Sequence, residues 1–250
     1  MADHHATAAL LTDAAVTGDV FDLRPDYRAL LVVAEGITPA PSDERSDALL
    51  RRAEEAATAQ LSAEAPEDLP HIAAWREAYR AFGAKPQRTR NSLEALTRRA
   101  PAGLPRVNRL TDLYNAMSVL HQVPIGGEDR GRYVGSPRLL RATGREAFDT
   151  VADGQEVLEH PEVGEVVWCD DVGVTCRRWN WRQGRRTALR DDTTSALFIL
   201  DALDPFTDSA LEAAGDELAD HLRSMGPDVR IMDRLIAGRT SSPAPHRKLS

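Results

Sequence analysis

The stretch EVVWCDDVGVTCRRWNWRQGRRTALR, residues 165–190, predicts a β-hairpin around which the rest of the chain is organised. Two β-rich runs, residues 166–168 and 174–176, flank a turn that contains two aspartates and a glycine. The stretch holds three of the four tryptophans, both cysteines and, from Arg177 onward, six arginines and no acid. Large rings beside an unopposed cationic cluster indicate a functional site, although tryptophans in the core and arginines in solvent are the simpler alternative.

Outward from the hairpin, the apolar pattern predicts alternating helices and strands. Residues 27–34 and 196–203 (ALFILDAL) are apolar enough for buried strands, the second of them central in its sheet. Amphipathic spacing predicts helices at 46–62, 72–82, 91–99, 107–123 and 206–225, and short strands are expected near 139–142 and 156–158. Pro124 and two glycines stop the fourth helix. The expected fold class is mixed α/β (α+β), a single domain with a mixed sheet flanked by helices.

The two ends of the chain are expected to lie outside this domain. Residues 1–20 lack periodicity and predict a loose tail or a weak helix, whereas 238–250 are basic, rich in Ser and Pro, and typical of a disordered tail. The domain is therefore placed at residues 21–237. The N-terminus has no secretory pattern, no apolar run approaches the roughly 20 residues that span a bilayer, and two cysteines suit reduced thiols. We expect a cytoplasmic protein without membrane contact.

Charge is distributed unevenly along the chain. The net charge is −8, yet residues 85–109 and 177–190 together carry +12, which leaves −20 for the remainder. A phosphate-bearing partner would be drawn to these two segments, unless they are ordinary solvated faces.

Standard catalytic and cofactor motifs are absent from the sequence. It contains no Gly-rich phosphate loop, no dinucleotide fingerprint, no nucleophile elbow and no histidine pair at metal-ligand spacing apart from His4–His5. We therefore expect no cofactor and no metal ion.

Three other features are candidates for chemistry. Polar residues recur at spacings of three and four along the helix of residues 107–123, and they would either hold a substrate or form a solvated face: Asn108, Asp112, Asn115 and Ser118. His121 is a possible general base or a structural histidine. Cys176 would be a nucleophile if Arg177 and Arg178 lowered its pKa. Alternation would place Trp179 and Trp181 on one face, with Arg178 and Asn180 on the other.

Four segments together resemble the B3/B4 domain of the bacterial phenylalanyl-tRNA synthetase β subunit and its free-standing relatives. They are AWREAYRAFGAKPQRTRNSLEAL (74–96), LPRVNRLTDLYNAMSVLHQVPIGGEDRG (104–131), GEVVWCDDVGVTCRRWNWRQ (164–183) and TTSALFILDAL (193–203), so the resemblance covers roughly residues 75–203. Asn108, Asp112 and Asn115 match three positions of the family's Asn, Val-Asp and Thr-Asn pattern. The chain departs from the family where Ile125, Gly126 and Gly127 replace its histidine, and where residues 181–183 stand near its Gly-Gly-Glu.

The resemblance implies an editing domain, which hydrolyses the ester of a wrong amino acid on tRNA. The basic segments would receive the tRNA, and aromatic faces would stack its terminal adenine. The expected catalytic residues are Asn115 and Asn108, which would orient the amino acid or water, with Glu128 or Asp129 binding the amino group. The expected substrate and tRNA contacts are Arg177, Arg178, Asn180, Arg182, Arg185, Gly126 and Gly127.

Three functions follow as hypotheses. The first is a trans-acting aminoacyl-tRNA deacylase, with aminoacylated tRNA as its partner and a small amino acid as the group removed. The second is a module that binds tRNA or an amino acid without turnover, which the departures from the family pattern favour. The third is a small-molecule enzyme that uses Cys176. The amino acid, the tRNA and the oligomeric state are left open.

Overall fold

The computed structural model describes residues 2–238, with side chains from His5 onward. Within this range the chain forms the helices α1 Ala2–Asp13, α2 Gly18–Leu23, α3 Glu44–Leu61, α4 Pro70–Ala81, α5 Ser92–Arg99, α6 Arg109–His121 and α7 Asp208–Arg223. None of these described helices is both long and apolar enough to cross a membrane.

The strands of the described chain are β1 Ala15–Val16, β2 Arg28–Glu35, β3 Ile125–Asp129, β4 Arg138–Arg141, β5 Phe148–Ala152, β6 Gln155–Glu159, β7 Val166–Cys169, β8 Val174–Arg177, β9 Arg182–Gln183, β10 Ser195–Ala202 and β11 Arg230–Ala237. An antiparallel four-stranded sheet has the order β11-β2-β10-β3, and a five-stranded sheet has the order β1-β4-β7-β8-β9. The second sheet is mixed because β1 and β4 are parallel, and β5 pairs only with β6. The predicted mixed α/β class is confirmed, with the strands divided among three sheets.

The two central strands of the four-stranded sheet divide the interior into two hydrophobic cores. Successive side chains of a strand point to opposite faces. Leu30 and Val32 of β2 therefore belong to one core with residues of α3, α6 and α7. Leu31 and Val33 belong to the other core, which contains the buried rings of Trp75, Trp168 and Trp179. The predicted central strand at 196–203 and the predicted hairpin of β7 and β8 are both present.

Side-chain caps define where four helices begin. Asp43 accepts hydrogen bonds from the backbone of Arg45 and Ser46, and Asn91 accepts one from Glu94 N at 2.9 Å. The Asn108 side chain accepts a hydrogen bond from Thr111 N at 2.8 Å, and the Thr207 hydroxyl accepts one from Ala210 N at 3.2 Å. Each cap satisfies an amide that would otherwise lack an intrahelical partner. The sequence predicts Asn91 or Ser92 as the cap of α5, and in the structure the cap is Asn91.

Several segments differ from the sequence-based expectation. For residues 1–20 the structure contains the helix alternative, α1, with Leu10 and Leu11 buried. The glycine run after Pro124 lies in β3 rather than in a turn, because it pairs with β10. The strands β5 and β11 also lack a counterpart in the prediction. Their local propensity is modest, and pairing with a neighbouring strand decides their conformation. The predicted C-terminal tail lies, apart from Gly238, outside the described residues.

His71 is a buried histidine that the fold holds in its neutral form. Its Nδ1 lies 2.7 Å from Gln122 O, and its Nε2 accepts hydrogen bonds from Leu203 N at 3.1 Å and Trp75 Nε1 at 3.2 Å. Two donors on Nε2 leave the proton on Nδ1. Burial lowers the pKa of His71 to about 4, although the hydrogen bond to Gln122 O opposes the shift.

We expect His71 to make the fold sensitive to acid. In the unfolded chain the imidazole of His71 takes up a proton near pH 6.5, whereas in the folded protein the same imidazole stays neutral down to about pH 4. The free energy of unfolding therefore carries no penalty from His71 above pH 6.5, and it falls by about 3 kcal/mol as the pH drops toward 4. Imidazole ¹⁵N chemical shifts in the folded protein measure the pKa directly. A His71 titration close to 6.5 would contradict this account.

Candidate active site

A cavity of about 220 Å³ opens between the two hydrophobic cores. Helices α5 and α6, strands β3, β7, β8, β9 and β10, and the segment between β8 and β9 contribute to it. Its lining consists of Ser92, Ala95, Leu96, Tyr114, Asn115, Ile125, Gly126, Glu128, Trp168, Cys176, Trp179, Asn180, Trp181, Gln183, Ile199 and Asp201. The cavity therefore joins the polar helix and the tryptophan-rich stretch that the sequence singled out separately.

Strand pairing explains why the polar groups of the sheet meet in this cavity. Residues paired across antiparallel strands point to the same face, and the pairs here are Glu128 with Leu197 and Gly126 with Ile199. Asp201 lies on the same face of β10 because it is two residues beyond Ile199. The intervening Gly127 faces the other way, where a Cβ atom would lie 2.6 Å from the Tyr114 ring. Gly126 thus lines the cavity, and Gly127 permits close packing of α6.

Glu128 is the buried acid at the wall of this cavity. Only 2% of the residue is exposed, and its Oε2 has no hydrogen-bond partner among the residues described. Burial raises the pKa of Glu128 to about 7, while the hydroxyl groups of Tyr133, Thr187 and Thr175 oppose the shift. A carboxyl group with such a pKa can accept or release a proton near neutral pH.

Asp201 is a second buried acid of the cavity, and it was not among the predicted site residues. Tyr27 OH donates to its Oδ1 at 2.6 Å, and Asn180 Nδ2 donates to Oδ2 at 3.4 Å. Burial raises the pKa of Asp201 to about 7, against the effect of these hydrogen bonds. A single carboxylate within the otherwise apolar run ALFILDAL was the sequence signal for this residue, since buried charges are rare without a partner or a role.

The polar residues of α6 are buried, so the solvated-face alternative is wrong. Asn108 caps the helix and donates to Leu189 O at 3.3 Å, while Asp112 accepts from Ser42 Oγ at 2.5 Å and Val107 N at 2.8 Å. Ser118 donates to Val123 O at 2.7 Å. Asn115 alone of the four lines the cavity, and its side-chain amide makes no hydrogen bond within residues 2–238. Asn115 is thus free to bind a ligand.

The second predicted acid, Asp129, lies outside the cavity. Its carboxylate accepts hydrogen bonds from Gly131 N and Thr193 Oγ1, both at 2.9 Å, and Arg132 Nε is 3.5 Å away. These contacts fix the chain at the end of β3. Asp129 and Asn108 therefore hold the backbone around the cavity, whereas Glu128 and Asn115 face into it.

The segment after β8 turns sharply, so its side chains do not alternate as in a strand. Trp179 and Trp181 line the same cavity, as expected, but Asn180 lines it with them. Arg178 and Trp179 have φ angles of 48° and 68°, in the left-handed region. Trp179 is fully buried, and the centroid of its ring lies 4.9 Å from that of Tyr27 and 5.3 Å from that of Trp75. Trp181 is partly exposed and carries the Arg178 guanidinium 4.7 Å above its ring. The two indoles therefore have different roles in the structure.

Asn180 is fixed between these tryptophans by hydrogen bonds from its side chain and its backbone. Its Oδ1 accepts from Tyr79 OH at 3.0 Å, its Nδ2 donates to Asp201, and its carbonyl accepts from Ser92 N at 2.9 Å. Asn180 therefore connects α5 and the buried acid at the cavity wall.

Most arginines of this stretch, although not Arg182, are paired with an acid, so the expected unopposed cationic cluster is absent. Arg177 contacts Glu165 and Glu159. Arg178 lies 3.5 Å from Glu165 and bonds Thr89 Oγ1. Arg185 pairs with Asp149 at 3.1 Å and Glu156 at 2.6 Å, and Arg182 donates to Val151 O at 2.6 Å. None of the four lines the cavity.

Cys176 lines the cavity, but its environment does not produce a thiolate. Burial, followed by the charges of Glu128 and Asp201, raises the pKa of Cys176 well above its usual value. The expectation that Arg177 and Arg178 lower this pKa is wrong, because both guanidinium groups are engaged by Glu165. His121 does not line the cavity and pairs with Glu217 at 2.9 Å.

We expect both thiols to be inert in the folded protein. Burial also raises the pKa of Cys169 to about 12, and thiol reagents attack the thiolate. Mixing with 5,5′-dithiobis(2-nitrobenzoate) at pH 7.5 should give no rapid colour until denaturant unfolds the chain. Rapid reaction of Cys176, judged against Cys176→Ser, would restore the nucleophile hypothesis.

No group of three or more His, Cys, Asp or Glu side chains in residues 2–238 is arranged to hold a metal ion.

Comparison with known proteins places this cavity in a family context. A family model described as the B3/4 domain matches residues 74–221, which include every residue that lines the cavity. No curated protein matches the chain in sequence. A similar solved structure is an N-terminal fragment of the phenylalanyl-tRNA synthetase β-subunit from Pyrococcus horikoshii, with 12% identity and a TM-score of 0.44. The match covers 87% of this chain and 49% of that chain, so the chain spans about half the length of the fragment.

Proposed function

The chain belongs to the B3/4 domain family, and from this premise we propose that its cavity hydrolyses the ester bond of a mischarged aminoacyl-tRNA. The observation that carries the proposal is the buried Glu128 carboxyl, with one oxygen unpartnered, in the same cavity as the free amide of Asn115. An acid with a pKa near 7 and an available amide are the groups that activation of a water molecule requires.

The reaction proceeds by attack of water on the ester carbonyl. Glu128 accepts the proton of that water as the new C–O bond forms, and the proton then passes to the departing ribose oxygen. Asn115 donates a hydrogen bond to the substrate and fixes its orientation, which supplies much of the reduction of the barrier. The products are a free amino acid and a tRNA with a free 3′ terminal hydroxyl.

Recognition of the amino acid combines apolar walls with polar groups. Trp168, Trp179 and Ile199 surround the side chain, while Asp201 and Asn180 provide a hydrogen-bonding end. A volume of about 220 Å³ suits one amino-acid residue and excludes a longer peptide. Asn108 and Asp129 act indirectly, by holding α6 and the end of β3.

We propose that tRNA is bound by cations near the cavity that have no acidic partner among the described residues. Lys85 and Arg88 are exposed in the loop between α4 and α5 and carry no ion pair within residues 2–238. Thr89 of the same loop bonds Arg178, which connects the loop to the Trp181 ring. We assign phosphate binding to Lys85, Arg88 and Arg182, whereas Arg178 is engaged by Glu165. The partly exposed Trp181 offers a ring for a terminal base.

A binding module without turnover is the alternative function. The observation that favours it is that Ile125, Gly126 and Gly127 stand where the family has a histidine, and no described histidine lines the cavity. Such a module would bind the same tRNA through the same cations and leave the ester intact.

A deacylation panel separates the two functions. Mischarged tRNAs carrying radiolabelled amino acids are incubated with the wild-type protein and with Asn115→Ala, and tRNA binding is followed in parallel by filter retention. The deacylase predicts one or a few species hydrolysed by the wild type, with a loss of about 100-fold in Asn115→Ala. Binding that depends on Lys85 and Arg88, together with no hydrolysis of any species, would leave only the binding module. Arg51→Ala, on α3, is the matched control for loss of an exposed cation.

A further inference from the structure

A second cavity, of about 350 Å³, lies away from the candidate active site, between α3, the start of α6 and the end of α7. It shares no lining residue with the first cavity. Because α3 precedes the region matched by the family model, one wall of this cavity is built from residues outside the B3/4 match.

The rim of the cavity carries an excess of positive charge. Arg45 and Arg52 of α3 are exposed, and their side chains make no hydrogen bond or ion pair within residues 2–238. The neighbouring Arg51, by contrast, is paired with Asp47 and does not line the cavity. Two unpaired guanidinium groups on one cavity provide a site for an anion, and phosphate oxygens match their geometry.

A third arginine adds a buried donor. Arg109, at the start of α6, donates to Thr38 O, and its Nε is buried without a hydrogen-bond partner among the described residues. Asp43 is the single acid of the lining, and its carboxylate already caps α3 and lies 3.9 Å from Arg109 Nη1. His221 lines the cavity at the end of α7, where its Nε2 lies 3.8 Å from Glu217 Oε1. The three arginines of the lining therefore outnumber its one acid.

The interior of the cavity is apolar. Leu49, Leu113 and Met225 form part of its lining, and methionine adapts its shape to flat rings. A cavity of 350 Å³ lies near the lower end of the volumes typical of small-molecule sites, about 300–1,000 Å³. An inorganic anion alone would leave the apolar part unfilled.

We propose that this second cavity binds a phosphate ester of nucleoside monophosphate size, with the phosphate on Arg45, Arg52 and Arg109 and the aromatic group against Leu49, Leu113 and Met225. The same chemistry occurs in a free nucleotide and in a nucleotide unit of RNA, and we assign the site to the free form. The site is independent of the proposed deacylation, because neither its charges nor its walls belong to the first cavity.

Isothermal titration calorimetry with adenosine 5′-monophosphate tests the proposal on the full chain. The wild type should bind the nucleotide saturably, and adenosine and inorganic phosphate should each bind at least about tenfold more weakly. The double variant Arg45→Ala/Arg52→Ala should lose about tenfold or more in affinity. Both positions are exposed, so the variant should fold, and Arg51→Ala, one residue away on the same helix, should bind as the wild type does.

Three results would overturn the proposal. One is nucleotide binding that is absent, or equal in the wild type and the double variant. Another is nucleotide binding lost in Asn115→Ala and retained in the double variant, since that would place the ligand in the first cavity. The last is a double variant that retains nucleotide binding and loses tRNA binding, which would assign these arginines to an RNA surface. None of these results depends on whether the protein deacylates tRNA.

Discussion

Arg177→Ala should destabilise the folded protein by about 3–5 kcal/mol, because it leaves a carboxylate buried without its main partner. Arg177 Nε and Nη2 donate to the two oxygens of Glu165, both at 2.8 Å, and Nη1 donates to Glu159 at 2.9 Å. The side chains of Arg177 and Glu165 are only 8% and 3% exposed, so solvent cannot replace the lost contact. Urea unfolding monitored by tryptophan fluorescence measures the change.

Arg185→Ala is the matched control for this prediction. Arg185 also pairs with two acids, but it is 37% exposed, and exposed pairs contribute about 0–1 kcal/mol. The double substitution Arg177→Met/Glu165→Met removes both charges and should recover much of the stability. Equal stability of Arg177→Ala and Arg185→Ala would show that the buried pair has no structural role, and it would return Arg177 to the set of free phosphate-binding cations.

Glu128→Gln should lower the deacylation rate by about 100-fold or more while making the protein more stable above pH 7. Burial raises the pKa of Glu128 to about 7, against an ordinary value of 4.5. The folded protein therefore binds a proton on Glu128 more tightly than the unfolded chain does. As a result, the protein loses stability as the pH rises from 4.5 through 7. The substitution removes this cost, which amounts to about 3 kcal/mol at pH 8.

The deacylation rate should rise with pH, whereas the stability contributed by Glu128 falls with pH. The carboxylate form of Glu128 is the base, so the wild-type rate, corrected for the protein-free reaction, should rise as the pH passes through about 7. This rise should be absent in Glu128→Gln. Asp129→Asn separates the two adjacent acids and should lose far less activity, because the Asp129 carboxylate bonds Gly131 and Thr193. A Glu128→Gln variant that is less stable and equally active would contradict the assignment.

The helices and strands with a strong hydrophobic periodicity could be predicted from the sequence. The strands that depend on pairing with a distant strand could not. The apolar runs of β2 and β10 and the spacing of α3, α4, α6 and α7 carry their own signal. The strand β3 does not, because Gly126 and Gly127 have low strand propensity and adopt the extended form only through pairing with β10.

The candidate site shows the same division. Asn115 and Glu128 could be named from the sequence, and the fold brings both to one cavity. The run from Arg177 onward contains no acid and therefore predicts free cations. The acid that pairs with Arg177 is Glu165, which precedes this run in the same stretch, and the acid that pairs with Arg185 is the more distant Asp149. The left-handed turn at Arg178 and Trp179 has no glycine to mark it. The alternation rule therefore wrongly separated Asn180 from the two tryptophans with which it shares the cavity.

The most direct test of the central claim is the single-turnover hydrolysis of the mischarged tRNA that reacts fastest in the panel, at pH 8 and saturating protein. We expect the wild type to release the amino acid well above the protein-free rate, and Glu128→Gln and Asn115→Ala to bind the same tRNA with hydrolysis reduced about 100-fold. Hydrolysis at the protein-free rate by wild-type protein that retains the tRNA would contradict the account.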